Sequence, residues 1–120
     1  GRHPNYDMFS VEDAEAMLTK ADLPTRIMID ASHANSRKKP ARQAEVVSDI
    51  VTQVARGSSS IFGMMIESNL VEGRQDVVAG QPLTYGQSIT DACMSWEVTQ
   101  PLLQDLAAAV RQRRGLRSSQ

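Results

Sequence analysis

The chain has 120 residues, of which 41% are hydrophobic and 22% charged, with a formal net charge of −1; this is room for one domain with a core, and no more. So even a charge balance excludes a polyelectrolyte surface, so neither nucleic acid nor an anionic membrane is expected as a partner. No apolar stretch approaches the roughly 20 residues that span a bilayer, and the single cysteine, Cys93, excludes an intrachain disulfide and fits a reducing, cytoplasmic setting.

The opening "GRHPNYDMF" has no periodicity and no signal-peptide pattern, and reads as a connector. Ser10 as N-cap with Asp13 as its acidic N3 residue predicts a helix over about residues 11–21, with Val11, Ala14, Met17 and Leu18 at helical spacing and Pro24 blocking continuation. Residues 26–30 ("RIMID") predict a strand buried on both faces, because the run is aliphatic rather than alternating. Pro40 suits the first turn of a helix over 40–56, whose apolar face is Ala44, Val47, Ile50, Val51 and Val54 and whose stop is Gly57.

Residues 60–67 ("SIFGMMIE") repeat the pattern of an apolar run ending in an acid, and predict the second buried strand. The stretch 69–87, with Gly73, Gly80, Pro82 and Gly86, is a long loop, and loops of that length in compact domains usually have a functional role. Thr99 and Pro101 open a helix over 100–114, with Leu102, Leu103, Leu106, Ala107 and Val110 on one face and Gly115 as its stop. Helix, strand, helix, strand, loop, helix is the order of α/β units with parallel strands. Two strands of this kind do not complete a sheet, so the chain reads as part of a larger architecture.

Loops at the C-terminal ends of parallel strands converge on one rim. Such a rim would gather His33 after the first strand, Glu67 at the end of the second and Asp91 after the long loop. One imidazole and two carboxylates form a mixed nitrogen and oxygen donor set, suited to Mn²⁺, Fe²⁺ or a similar divalent ion. Other readings stay open from spacing alone. A histidine after a strand is commonly a hydrogen-bonded loop residue, Ser88 with Asp91 matches a helix cap, and a small α/β binding domain without metal fits the same elements. Arg37, Lys38 and Lys39 read as a solvated basic loop in preference to a phosphate site, and Cys93, placed on the start of a helix, reads as a small buried hydrophobe.

"MIDASHANSRKKP", "GMMIESNLVEGRQ" and "PLTYGQSITDACMSWE" together resemble the C-terminal part of the microbial type I 3-deoxy-D-arabino-heptulosonate 7-phosphate (DAHP) synthases, and the likeness runs over nearly the whole chain. The resemblance implies an α/β fold made of the C-terminal βα units of a (β/α)8 TIM barrel, incomplete in this chain. It implies condensation of phosphoenolpyruvate with erythrose 4-phosphate, the first step of the shikimate pathway, with a divalent metal polarising the aldehyde or activating water. His33 of "SHAN", Glu67 of "IES" and Asp91 of "SITDAC" match the family's metal ligands, whereas its fourth ligand, a cysteine, and most of its phosphate-clamping lysines and arginines have no counterpart here; Cys93 is not that ligand. The expected partners are the two substrates, the remainder of the barrel and further copies in a homo-oligomer. The isolated chain is expected to be inactive, and the alternative is a non-catalytic, folded or strand-swapped assembly piece.

Overall fold

The computed structural model describes residues 2–119. In chain order the elements are α1 (Met8–Lys20), β1 (Ile27–Asp30), a single helical turn α2 (His33–Ser36), α3 (Pro40–Ala55), β2 (Ile61–Met65) and α4 (Trp96–Ser118). The two strands pair in parallel, with Ile29 opposite Met64 and Asp30 opposite Met65, and α3 is the crossover between them. Among the described residues no helix is long and apolar enough to cross a membrane.

The core lies between α3, α4 and one face of the strand pair. Val46, Val47, Ile50 and Val54 of α3 are buried against Ile29, Ile61, Leu102 and Ala109. On α4 the buried line is Thr99, Leu102 and Ala109, with Leu106 half-buried, so Leu103 and Ala107 of the expected apolar face are exposed instead. Arg113 fastens α4 to the start of β2 by donating from one guanidinium nitrogen to the carbonyls of Ser58 and Ile61.

Several expectations are corrected. The first helix starts at Met8, inside the stretch read as a connector, because Asp7 and not Ser10 is its cap; Asp7 accepts both the backbone N–H and the hydroxyl of Ser10. Met17 of that helix is exposed. The second strand ends at Met65, leaving Glu67 two residues beyond it. The last helix begins at Trp96 because Ser95 caps it, which makes Pro101 an interior residue, and it runs through Gly115 to Ser118. Cys93 lies before that helix in an extended pairing with Gly73, their backbones bonded in both directions.

The strands are also not buried on both faces. Helices cover one side only, and on the other Met28 is 57% and Phe62 61% exposed. The whole is open: its radius of gyration is 16.8 Å, against about 13.6 Å for a compact chain of this length. Its accessible surface of 8204 Å² exceeds the compact-monomer value by about 1,800 Å².

Candidate metal centre

The residues of "DASHANS" specify their own loop. Ala31 closes the strand ladder by donating to the carbonyl of Met65, and the chain then turns sharply at Ser32. The Ser32 backbone N–H and hydroxyl both bond Oδ1 of Asp30, and the Asn35 amide returns to the Asp30 carbonyl. Ser32 and Ser36 are each 1% exposed. His33 sits on this turn with φ of 51°, the left-handed region that disfavours any residue with a Cβ.

Glu67 arrives from the other strand. Its backbone is held on one side by the Gln43 side-chain amide of α3 and on the other by the Met94 N–H, which donates to the Glu67 carbonyl at 3.0 Å. Ser68 and Met94 form a parallel bridge, and the Asn69 N–H returns to the Met94 carbonyl. The segment around Met94 therefore takes the place of a third strand beside the second and carries Asp91 to the same rim. Behind it, the stretch 69–87 is tied down by the Gln75 side chain, which bonds the backbone of Thr84 and Gln87.

The three sequence-predicted side chains meet. His33 Nε2 lies 3.2 Å from Glu67 Oε1 and 3.4 Å from Asp91 Oδ2. One ligand atom from each residue falls within 4.8 Å of the others. Two bonds of roughly 2.1–2.2 Å at a right angle put their donor atoms roughly 3 Å apart, so this spacing suits cis ligands of one divalent ion. The triad opens on a cleft of ≈ 160 Å³ also lined by Lys38, Arg74 and Thr90. Lys38 thus borders the site, while Arg37 and Lys39 are exposed on the turn before α3, as expected of a solvated loop.

Electrostatics follow from this crowding. Burial raises the Glu67 carboxyl above its ordinary value, Asp91 and Asp30 push it further, and only His33 opposes them. The His33 imidazole is raised, chiefly by its hydrogen bond to Asp30 and then by the charge of Glu67. Asp30 is held low: burial works against its charge, but the bonds from Ser32 and His33 outweigh it. The Cys93 thiol is raised by burial and is not a thiolate at neutral pH.

Two residues of the site escape the sequence reading. Asp30 bonds the far nitrogen of His33, Nδ1, at 2.8 Å. The clue was an acid three residues before the histidine. Gln43, 1% exposed on α3, carries no such clue, because a buried glutamine on a helix has no spacing signature.

A parallel βα unit that gathers one imidazole and two carboxylates at one rim defines a segment of an α/β protein whose side chains could hold a metal ion. Residues 1–104 match the model of the DAHP synthetase I family, and the chain belongs to that family. It is 50% identical over 115 residues to the Phe-sensitive phospho-2-dehydro-3-deoxyheptonate aldolase of Escherichia coli K12, covering 96% of this chain and 33% of the relative. It is 53% identical to the tyrosine-inhibited enzyme of Schizosaccharomyces pombe, over 92% of this chain and 31% of that one. The solved phospho-2-dehydro-3-deoxyheptonate aldolase of Francisella tularensis SCHU S4 superposes with a TM-score of 0.87 at 50% identity, over 92% of this chain and 32% of that one. The chain thus spans about a third of the length of the relatives it matches.

Proposed function

We propose that this chain supplies the C-terminal βα units of a (β/α)8 barrel, and with them three ligands, His33, Glu67 and Asp91, of the divalent ion used by a cytoplasmic DAHP synthase. The reaction is condensation of phosphoenolpyruvate with erythrose 4-phosphate to DAHP and phosphate. The observation that carries this reading is the convergence of His33 Nε2, Glu67 Oε1 and Asp91 Oδ2. Three groups that accept or carry negative charge repel one another at such distances unless a cation or proton lies between them.

An ion such as Mn²⁺ or Fe²⁺ held there would act as a Lewis acid toward the aldehyde oxygen or a water. The chain's own part is to hold the two carboxylates and the imidazole in place in a cleft that Lys38 and Arg74 also line. In the reaction C3 of phosphoenolpyruvate bonds to the aldehyde carbon, water adds at C2 and phosphate leaves. Nothing in residues 2–119 forms a clamp for two phosphates, so the isolated chain is inactive and needs the remainder of the barrel. The surplus surface of about 1,800 Å² and the exposed Met28, Phe62 and Met65 beside open strand edges support that need.

Those same open edges favour one other reading, a non-catalytic piece that pairs with further copies through its strands. Mn²⁺ titration of the wild type and His33→Ala, followed by electron paramagnetic resonance, tests the metal site; equal affinities would remove it. Mixing the chain with the complementary two thirds of a relative tests the barrel, with DAHP formation expected only in the mixture and only when His33 is intact. A stable homodimer that gives no activity in the mixture would favour the assembly reading.

A further inference from the structure

We infer that Asp30 is a positioning residue, which fixes the His33 ring in the tautomer that carries its proton on Nδ1 and so presents the Nε2 lone pair to Glu67 and Asp91. The inference rests on the proposed metal site for its purpose, but not for its geometry. Ser32 Oγ has one proton, and it goes to Asp30 Oδ1. The same oxygen lies 2.9 Å from His33 Nδ1 and has no second proton to give, so toward the ring it is an acceptor. Asp30 Oδ2, 2.8 Å from the same nitrogen, is also an acceptor when the carboxylate is ionised. The acceptors facing Nδ1 lie at 2.8 and 2.9 Å, whereas the carboxylate oxygens facing Nε2 lie further off, at 3.2 and 3.4 Å, so the single proton of the neutral ring goes to Nδ1. In the neutral ring Nε2 then bears the lone pair, and it is Nε2 that lies near Glu67 and Asp91.

The backbone points the same way. His33 holds φ at 51° on a turn whose donors, the Ser32 N–H and the Asn35 amide, close on the side chain and the carbonyl of Asp30. One aspartate therefore anchors both the strained backbone and the ring.

Asp30→Asn makes a specific test, because an amide offers only one acceptor oxygen. Two Ser32 donors claim the Oδ1 position, which leaves the NH2 group facing His33 Nδ1. That group must donate, so the ring proton moves to Nε2. Long-range ¹H–¹⁵N correlation spectra of the intact polypeptide, taken where the imidazole is neutral, are expected to give the Nδ1–H pattern in the wild type and the Nε2–H pattern in Asp30→Asn. Mn²⁺ affinity is expected to fall about 10- to 100-fold in the variant. A wild-type ring protonated on Nε2, an unchanged tautomer in Asp30→Asn, or a shifted tautomer with unchanged Mn²⁺ affinity each overturns the inference. If the wild type binds Mn²⁺ no better than His33→Ala, the metal site fails, and the ring spectra alone decide the role of Asp30.

Discussion

Gln43 brackets the backbone of Glu67: its Oε1 accepts the Glu67 N–H at 2.9 Å and its Nε2 donates to the Glu67 carbonyl at 3.3 Å. A side chain from the crossover helix thereby does what a neighbouring strand would do just past the end of β2. Gln43→Leu keeps the volume and removes both bonds, leaving the Glu67 N–H unpaired at a cost of about 1–3 kcal/mol. Urea unfolding should register that loss, and Mn²⁺ affinity should fall with it because the ligand's backbone is released. Unchanged values of both would mean that the Met94 bond alone fixes Glu67.

Metal binding should depend on pH in a direction set by His33. Its folded-state pKa is raised above the ordinary 6.5 by Asp30 and Glu67, and a protonated imidazole cannot ligate. Mn²⁺ affinity is therefore expected to climb as pH rises through that raised value and to level off above it. The stability of the metal-free chain runs the other way. The contribution from protonated His33 is fully present below the unfolded value of about 6.5 and is lost as pH rises through the folded one. Titrations from about pH 5.5 to 8.5, with and without Mn²⁺, should give midpoints of opposite trend. Parallel curves would contradict the ligand role of His33.

How much of this was legible in the sequence depends on which signal each residue carries. Repeated apolar runs before polar endings marked both strands, and Pro40 marked the crossover helix to within a residue of its end. The triad was legible because "SHAN", "IES" and "SITDAC" are distinctive, not because 34- and 24-residue gaps are. Helix starts were missed where two cap-type residues compete. Ser10 and Asp7 are both good caps, and only the fold decides that Asp7 accepts from Ser10. Thr99 looks like a cap too, but Ser95 takes the position, and the Thr99 hydroxyl bonds the Ser95 carbonyl instead. Burial on both faces failed for a different reason: an apolar run shows that a strand can be buried but not what covers it, and here Met28 and Phe62 stay exposed.

The loop that carries Asp91 should be sensitive at one glycine and tolerant at another. Gly86 has φ of 79°, and a Cβ built there would lie 2.7 Å from Leu70 Cβ, an atom that cannot swing aside. The Gly86 carbonyl also holds the Val71 N–H at 2.9 Å. Gly86→Ala is expected to cost about 2–3 kcal/mol, the left-handed backbone plus the clash. Gly80, with φ of 78° and nothing within 4 Å, should lose only the backbone part, about 1 kcal/mol. Denaturant midpoints of the two alanine variants check the order, and equal losses would mean that Leu70 moves freely.

Strain and ligation can be separated at His33 itself. The residue is held at φ of 51°, where a Cβ costs about 1–2 kcal/mol and glycine costs nothing sterically. His33→Ala keeps the strain and loses the ring, whereas His33→Gly loses both. The glycine variant is therefore expected to be more stable than the alanine variant by about 0.5–1 kcal/mol, after allowing for its larger unfolded-state entropy, while neither binds Mn²⁺ at the site. Paired thermal melts and Mn²⁺ titrations check this. If alanine proves as stable as glycine, the turn relaxes once the imidazole is gone, and it is the bond from Asp30 to the ring that holds the backbone in its left-handed state.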